Sequence, residues 1–366
     1  MPLIVQKYGG SSVADLTKLR AVAVRVAATR ATGASVVVVV SAMGNTTNEL
    51  LGLARQVSAH PGRRELDMLI SVGERVSMAL LAMALGELGV PARSFTGSQS
   101  GIVTDEHHAN ARVVEVRPDR VREALDRGEV AIVAGFQGVS RAREVTTLGR
   151  GGSDTTAVVL AAALRADECE ICSDVDGIWS ADPRAVPGAR RIARLTVDEA
   201  LALATNGAKV LYEEAVAWAK REGVTLRACQ TDVSGGGTVI SPEPVPARIV
   251  AVTADTQLAT CGLEHLGDLP AGCLRESSAA GLLLDRRNLH APLPFLQDAA
   301  TVAVVGSRAG ADPTLLRRIL SAAAPVLTSS DTWRSAGDAV VFMVEPTHAA
   351  RVERALHVAL IESPHP

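Results

Sequence analysis

Lys7 closes an apolar, β-branched run and is followed by Gly9, Gly10, Ser11 and Ser12. Glycines let backbone N–H groups approach an anion, and a helix opening behind them favours negative charge. A compact ammonium at that point suits a phosphate, although an ordinary turn would use the same glycines. Of the 37 basic residues only 4 are lysines, at positions 7, 18, 209 and 220. Lys209, after Gly207-Ala208, is the other lysine in a glycine-flanked, apolar setting. A solvated role is equally open to it.

Four further segments carry usable chemistry. Ser41 and Thr47 in SAMGNTTNEL follow a second strand-like run. Their hydroxyls suit phosphate or substrate, and helix capping would select the same residue types. Glu74 is the acid in the apolar segment SVGERVSMALLAMAL, either an exposed helix-face acid or a cation receptor. Arg150, Gly151 and Gly152 precede Ser153-Asp154-Thr155-Thr156 at the start of an apolar helix. An arginine beside open backbone and a helix N-terminus receives carboxylate or phosphate. Asp154 there can hold cations in place. CSDVDGIWSADPR, residues 172–184, resembles a calcium loop only superficially. Its glycine comes too early, and the twelfth position from Asp174 is Ala185, not Glu. A strand ending in Ser173-Asp174, a glycine turn, Trp179, then Asp182 and Arg184 suits an adenine and ribose pocket, or simple loop packing. His107-His108 has no ligand-like spacing and reads as a surface loop.

The elements that must position these residues are a parallel α/β array. Leu3–Tyr8, Ser35–Ser41, Val130–Ala134 and Cys169–Ser173 read as strands buried on both faces. Residues 14–32, 65–88, 117–127 and 155–164 read as helices. Such alternation predicts a parallel sheet sandwiched by helices, with ligands at the strands' carboxyl ends. Pro242–Pro246 is a stiff break. Beyond it, strand 301–305, helix 313–323, strand 326–329, strand 339–344 and helix 348–360 make a small α+β unit. Residues 247–297 look like a weaker version of the same unit.

A net charge of −3 gives no electrostatic case for nucleic acid or an anionic membrane. Few aromatics argue against stacking on single strands. No apolar run approaches a membrane span and the N-terminus lacks a signal design, so a cytoplasmic protein is expected. Five cysteines, Cys169 and Cys172 among them, read as buried free thiols. No metal site built from protein ligands is expected.

In order along the chain, KYGGSSVAD, RELDMLISVGERVSMALLAMAL, ARSFTGSQSGIVTD, VAGFQGVS, VTTLGRGGSDTTAV, DVDGIWSADPR and GAKVL resemble one family, the aspartate kinases of the amino-acid kinase fold. The resemblance covers residues 1–241 as a catalytic domain. It implies a degenerate ACT-like segment at 247–297 and an ACT-like domain at 298–366. It implies ATP and Mg2+ as cofactors, L-aspartate as substrate and a homodimer through the ACT-like region. By resemblance Lys7, Asp154 and Lys209 are the catalytic residues, Lys7 binding the transferred phosphate and Asp154 organising the catalytic cations. Ser41, Thr47, Glu74, Arg150 and Ser153 contact the substrate, Glu74 its ammonium and Arg150 its α-carboxylate. Gly9, Gly10, Ser173, Asp174, Trp179, Asp182, Arg184 and Lys209 contact ATP.

The implied reaction is phosphorylation of the L-aspartate β-carboxylate to 4-phospho-L-aspartate. That carboxylate is already ionised at neutral pH, its free pKa being about 3.9, so no general base is needed. The obstacle is bringing an anion onto a polyanion, which lysines and loop N–H groups offset. The chain departs from the family pattern at Tyr212-Glu213-Glu214, where His-Pro-Arg is usual. It departs again at Arg227-Ala228-Cys229-Gln230 and at Cys172-Ser173-Asp174. Together with the weak segment 247–297, these imply altered or lost feedback control. A paralogue acting on an aspartate analogue, or a non-catalytic regulatory subunit, are the alternatives.

Overall fold

The computed structural model describes residues 1–363 apart from 209, 233–235, 271–272, 279–280 and 290–292. Lys209, expected to contact ATP, therefore lies outside the described residues. The chain opens with β1 (Leu3–Tyr8), α1 (Leu16–Ala31), β2 (Ser35–Val40), α2 (Thr46–Val57), α3 (Arg63–Ile70) and α4 (Val72–Glu87). Then come β3 (Ala92–Phe95), β4 (Ile102–Thr104), β5 (Val113–Val116), α5 (Asp119–Asp126), β6 (Val130–Ala134), β7 (Gln137–Ser140) and β8 (Val145–Thr147). These lead to α6 (Gly152–Leu164), β9 (Glu168–Ser173), β10 (Arg194–Thr196), α7 (Val197–Thr205), α8 (Glu213–Glu222), β11 (Leu226–Gln230) and β12 (Thr238–Ser241).

The chain packs as two compact units. The first comprises Met1–Ile178, Ala193–Val197 and Val210–Glu243; the second comprises Trp179–Ile192, Asp198–Lys209 and Pro244–Pro366. The changeover after Glu243 falls within the proline-rich break. The two excursions, 179–192 and 198–209, were not legible, because single side chains hold them. Ser180 Oγ lies 2.8 Å from His357 Nε2, and the Arg190 guanidinium bonds the Ile361 carbonyl. Buried Glu199 takes both arms of Arg248 at 2.8 and 2.7 Å.

In the first unit an eight-stranded sheet runs β10-β12-β11-β9-β1-β2-β6-β3. Every neighbouring pair is parallel except β11 with β12. The strands are continuous β-branched runs because both faces are covered. On one face Tyr8, Val38, Ile132, Cys172 and Cys229 pack with Leu19, Val22 and Val26 of α1 and Met78, Leu81 and Leu85 of α4. The alternate residues, Val5 and Lys7 among them, fall to the opposite face by the strand's period of two. There α6, apolar all round and almost wholly buried, lies against β1, β2 and β9. A small sheet of order β5-β4-β7-β8 sits in the same unit.

The predicted helix 65–88 is divided at Ser71, whose carbonyl accepts from Gln137 Nε2 at 2.8 Å. Taken together, Arg63–Glu87 is long and apolar enough to cross a membrane by length and composition, which corrects the expectation that no run approaches that length. In this fold α4 packs on α1, β3 and β6, so the apolarity serves the core.

The second unit continues with β13 (Ala251–Cys261), β14 (Leu274–Ser278), β15 (Gly281–Asp285), β16 (Gln297–Val305), α9 (Pro313–Ala323), β17 (Thr332–Ala336), β18 (Ala339–Val344) and α10 (Ala349–His357). Its antiparallel sheet has the order β14-β15-β13-β16-β18-β17. Segments 247–297 and 298–366 thus share one sheet, joined where β13 pairs with β16. The strand expected at 326–329 is instead β17, whose five residues are all exposed and so carry no apolar signature. One face of this sheet is covered by α9 and α10 through Val302, Val304, Ile319, Phe342, Val352 and Leu356. On the other face a cavity of about 340 Å³ is lined by Thr301, Trp333, Val341 and Met343, among others.

Candidate functional site

The site gathers at the carboxyl ends of β1, β2, β6 and β9. Lys7 Nζ lies 2.7 Å from Asp154 Oδ1, with Asp154 3% exposed in the first turn of α6. Asp154 is therefore an ion-pair partner of the lysine and not the cap of its own helix. The N-cap is Gly151, with φ of 71°. That left-handed backbone, and the Tyr212 ring standing where a Cβ would project, leave room only for glycine.

The glycine loop after β1 is fastened to the loop after β2. Gly44 N donates to Gly10 O at 3.1 Å, and a Cβ on Gly10 would stand 3.0 Å from Ala42 O. Gly9 lies beside Lys7, a Cβ there falling 3.5 Å from Nζ. Ser41 and Thr47 are half-buried in this region. Asn45 occupies the N-cap of α2 without a side-chain capping bond.

Glu74 is 3% exposed, which sets aside the alternative of an exposed helix-face acid. One carboxylate oxygen accepts from Ala42 N at 3.2 Å; the other is buried with no partner among the described residues. Burial pushes its pKa up to about 7 against the pull of backbone N–H groups at Glu74 and Ala42. Gly73 permits this approach, since a Cβ there would stand 2.7 Å from Ala42 Cβ.

At the end of β6, a Cβ on Gly135 would stand 2.7 Å from Ser153 Oγ, which places Ser153 at the strand's tip. The Thr155 hydroxyl is buried and also lacks a partner among the described residues. Arg150 is exposed on the loop ahead of α6. The predicted phosphate, ammonium and carboxylate receptors thus belong to one unit. β9, paired with β1 through Tyr8 and Cys172, ends at Ser173, and Asp174 follows it. The Ser173 carbonyl accepts from both Thr231 N and Thr231 Oγ1 at 2.9 Å. Trp179, Asp182 and Arg184 belong to the second unit, where Arg184 pairs with Asp182 at 2.7 Å.

Several contributors were not identified from the sequence as site residues. In the sequence Tyr212 stands out only as a departure from the family pattern; its approach to Gly151 arises only in the tertiary structure. Beyond it, Glu214 lines a polar cavity of about 400 Å³ with Arg112, Trp218 and Arg221. Burial raises the Glu214 pKa, with Arg112 pulling it down. His108 is not simply a loop residue. Its Nδ1 lies 2.7 Å from fully buried Asp67, which also accepts from Thr147 Oγ1 at 2.6 Å and from Ala109 N.

A buried aspartate–lysine pair beside a glycine loop and a helix N-terminus defines a site for an anionic, phosphate-bearing ligand. The model of the amino acid kinase family matches residues 2–228, and the chain belongs to that family. Its curated relatives include the aspartokinase of Mycolicibacterium smegmatis, 52% identical over 276 residues, covering 74% of this chain and 66% of the relative. The aspartokinase of Thermus thermophilus is 47% identical over 272 residues, covering 74% and 67%. The chain thus spans about two thirds of the length of the curated relatives it matches. Among solved structures, aspartate kinase from Synechocystis is 33% identical with a TM-score of 0.61, covering 98% of this chain and 69% of that one. E. coli aspartokinase III in complex with aspartate and ADP aligns with a TM-score of 0.81 over 98% and 99% of the two chains. At 23% identity that likeness concerns the fold alone.

Proposed function

We propose that the chain is an ATP-dependent aspartate kinase that phosphorylates the L-aspartate β-carboxylate to 4-phospho-L-aspartate. The observation that carries this reading is the buried, half-satisfied carboxylate of Glu74 in the same unit as the Lys7–Asp154 pair. A buried oxygen without a partner costs free energy until something donates to it. The ammonium of an amino acid is such a donor. Arg150 would take the α-carboxylate with a bidentate grip, with Ser41, Thr47 and Ser153 beside the substrate.

A β-carboxylate oxygen attacks the γ-phosphorus of ATP; the new O–P bond forms as the bond to the β-phosphate bridging oxygen breaks, and ADP leaves. Lys7, held by Asp154, meets the negative charge of the transferred group. N–H groups of the Gly9-Gly10 loop and the α6 N-terminus add fixed positive dipoles. Ser173 and Asp174, in the same unit as Lys7, form the nucleotide side of the reading. Asp154 and the Thr155 hydroxyl are hard oxygen donors of the kind Mg2+ selects. Bound with the nucleotide, Mg2+ would neutralise phosphate charge there. In the same reading feedback control is altered or lost, the chain pairs as a cytoplasmic homodimer through its ACT-like region, and the open sheet face around Trp333 supports that pairing.

Tyr212, resting on Gly151 next to Arg150, favours a second reading in which the acceptor is an aspartate analogue in a specialised pathway. Hydroxylamine trapping of the acyl phosphate tests both. With Mg·ATP, aspartate should yield hydroxamate, insensitive to added lysine and threonine. Hydroxamate from an analogue alone would select the second reading, and none from any acceptor would exclude both.

A further inference from the structure

Cys172 and Cys229 face each other across the parallel pair β9–β11, in direct register. Their sulfurs are 3.7 Å apart. Cys169, three residues from Cys172, falls to the other face, so the local C-x-x-C is not the pair that meets. Neighbouring strands lie about 4.7–4.9 Å apart, within the Cα range a disulfide spans, and a bond of about 2.05 Å would require the sulfurs to close from 3.7 Å. Arg25 NH2 approaches Cys229 Sγ at 3.4 Å and Glu170 Oε2 at 3.1 Å. Hydrogen bonding from Cys172 holds the Cys229 thiol below its usual pKa, with the Arg25 guanidinium acting in the same direction. Burial pushes Cys172 the other way. Cys229 is thus the sulfur suited to be nucleophile, and Cys172, 3.7 Å away, stands where a resolving sulfur must be.

Glu170, Cys172 and Cys229 also lie close enough to share a metal ion. The guanidinium among them, paired with Glu170 and touching Cys229, opposes a cation. We propose that Cys172 and Cys229 are a peroxide-reactive dithiol that closes to a disulfide and weakens nucleotide binding when it does. The Cys229 thiolate attacks hydrogen peroxide, giving the sulfenic acid and hydroxide. The Cys172 sulfur then attacks the sulfenic sulfur, and its proton leaves with the displaced hydroxide as water. In sum two thiols and one peroxide give one disulfide and two waters. The coupling rests on the functional reading above. Cys172 immediately precedes Ser173, and its register partner Tyr8 immediately precedes Gly9. Drawing β9 and β11 together therefore displaces the backbone on which the nucleotide loops stand.

The test uses the full reduced chain, treated with hydrogen peroxide, alkylated and mapped by peptide mass. The expected result is a Cys172–Cys229 linked peptide lighter by two hydrogens and reversed by dithiothreitol. ATP affinity, measured by calorimetry on the same samples, should fall several-fold on oxidation. Cys172→Ser and Cys229→Ser should each abolish that fall, while Cys169→Ser keeps it. Both thiols staying alkylatable, Cys229 oxidising to the sulfinic acid without linkage, or a stoichiometric zinc ion protecting them would overturn the proposal. A linkage that leaves ATP affinity unchanged would overturn the coupling. If reduced chain binds no ATP, the functional reading fails, while the mass result still decides the dithiol.

Discussion

Two glutamates, one in each unit, share a property and differ in everything around it. Glu74 and Glu353 are 3% and 4% exposed, and burial pushes both pKa values up to about 7. Glu353, on α10, is raised further by the Asp182 carboxylate and steadied by the Ala254 N–H. Among the described residues no glycine loop, lysine–aspartate pair or helix N-terminus accompanies it. Glu74 keeps one oxygen without a partner among the described residues, and its unit carries all three of those features. A displaced pKa marks a desolvated group; a site needs converging receptors as well. On the proposed reading Glu74 serves substrate recognition, whereas Glu353 is a cost borne within a fold.

The largest expected effect tests the active side of this contrast. Lys7→Ala or Asp154→Ala should lower kcat by about a thousandfold or more, the scale of losing a preorganised charge on a transferring group. Glu353→Gln should leave kcat unchanged. Steady-state kinetics on the three variants decide it, and equal losses would erase the distinction.

Next, Glu74→Gln should raise the KM for aspartate by about a hundredfold, as expected for losing a charged hydrogen bond to a buried partner. In the unaltered chain that KM should fall as pH rises through about 7, because Glu74 must ionise to meet the ammonium. A flat pH profile would remove Glu74 from substrate binding.

Stability separates the pair at a smaller scale. Both carboxyls bind protons more tightly folded than unfolded, so each contributes stability that is full below about pH 4.5 and lost as pH rises to about 7. Glu353→Gln keeps the Ala254 hydrogen bond and removes its share of that slope. It should stabilise the protein by roughly 2 kcal/mol above pH 7. Saturating aspartate should weaken the Glu74 share alone. Urea unfolding at pH 5 and pH 8 would show both.

The last comparison concerns the loop. Gly151→Ala should cost about 1–3 kcal/mol from backbone strain alone, and Tyr212→Ala should relieve the clash without relieving the strain. A thermal-melt cycle across the two variants reads the difference.

Much of the first unit was legible because its signals are local. The five consecutive valines of β2, the glycine loop after Lys7 and the left-handed turn before α6 each announce themselves within about ten residues. The Lys7–Asp154 pairing could be anticipated only as a shared site, since 147 residues separate the partners. Segments 179–192 and 198–209 gave no sign of belonging with the C-terminal region, because buried Ser180 and Glu199 look like ordinary loop and helix residues until His357 and Arg248 meet them.

By itself the sequence determined the main strands and helices of the first unit and pointed to candidate receptors and their chemistry, because propensity, period and charge reside in the residues. Only the tertiary structure decided that Glu74 is desolvated with one oxygen left open, that Tyr212 lies on Gly151, and that Cys172 faces Cys229 while Cys169 does not. Desolvation, close approach and strand register arise between segments distant in the chain, and no local pattern encodes the distance between them.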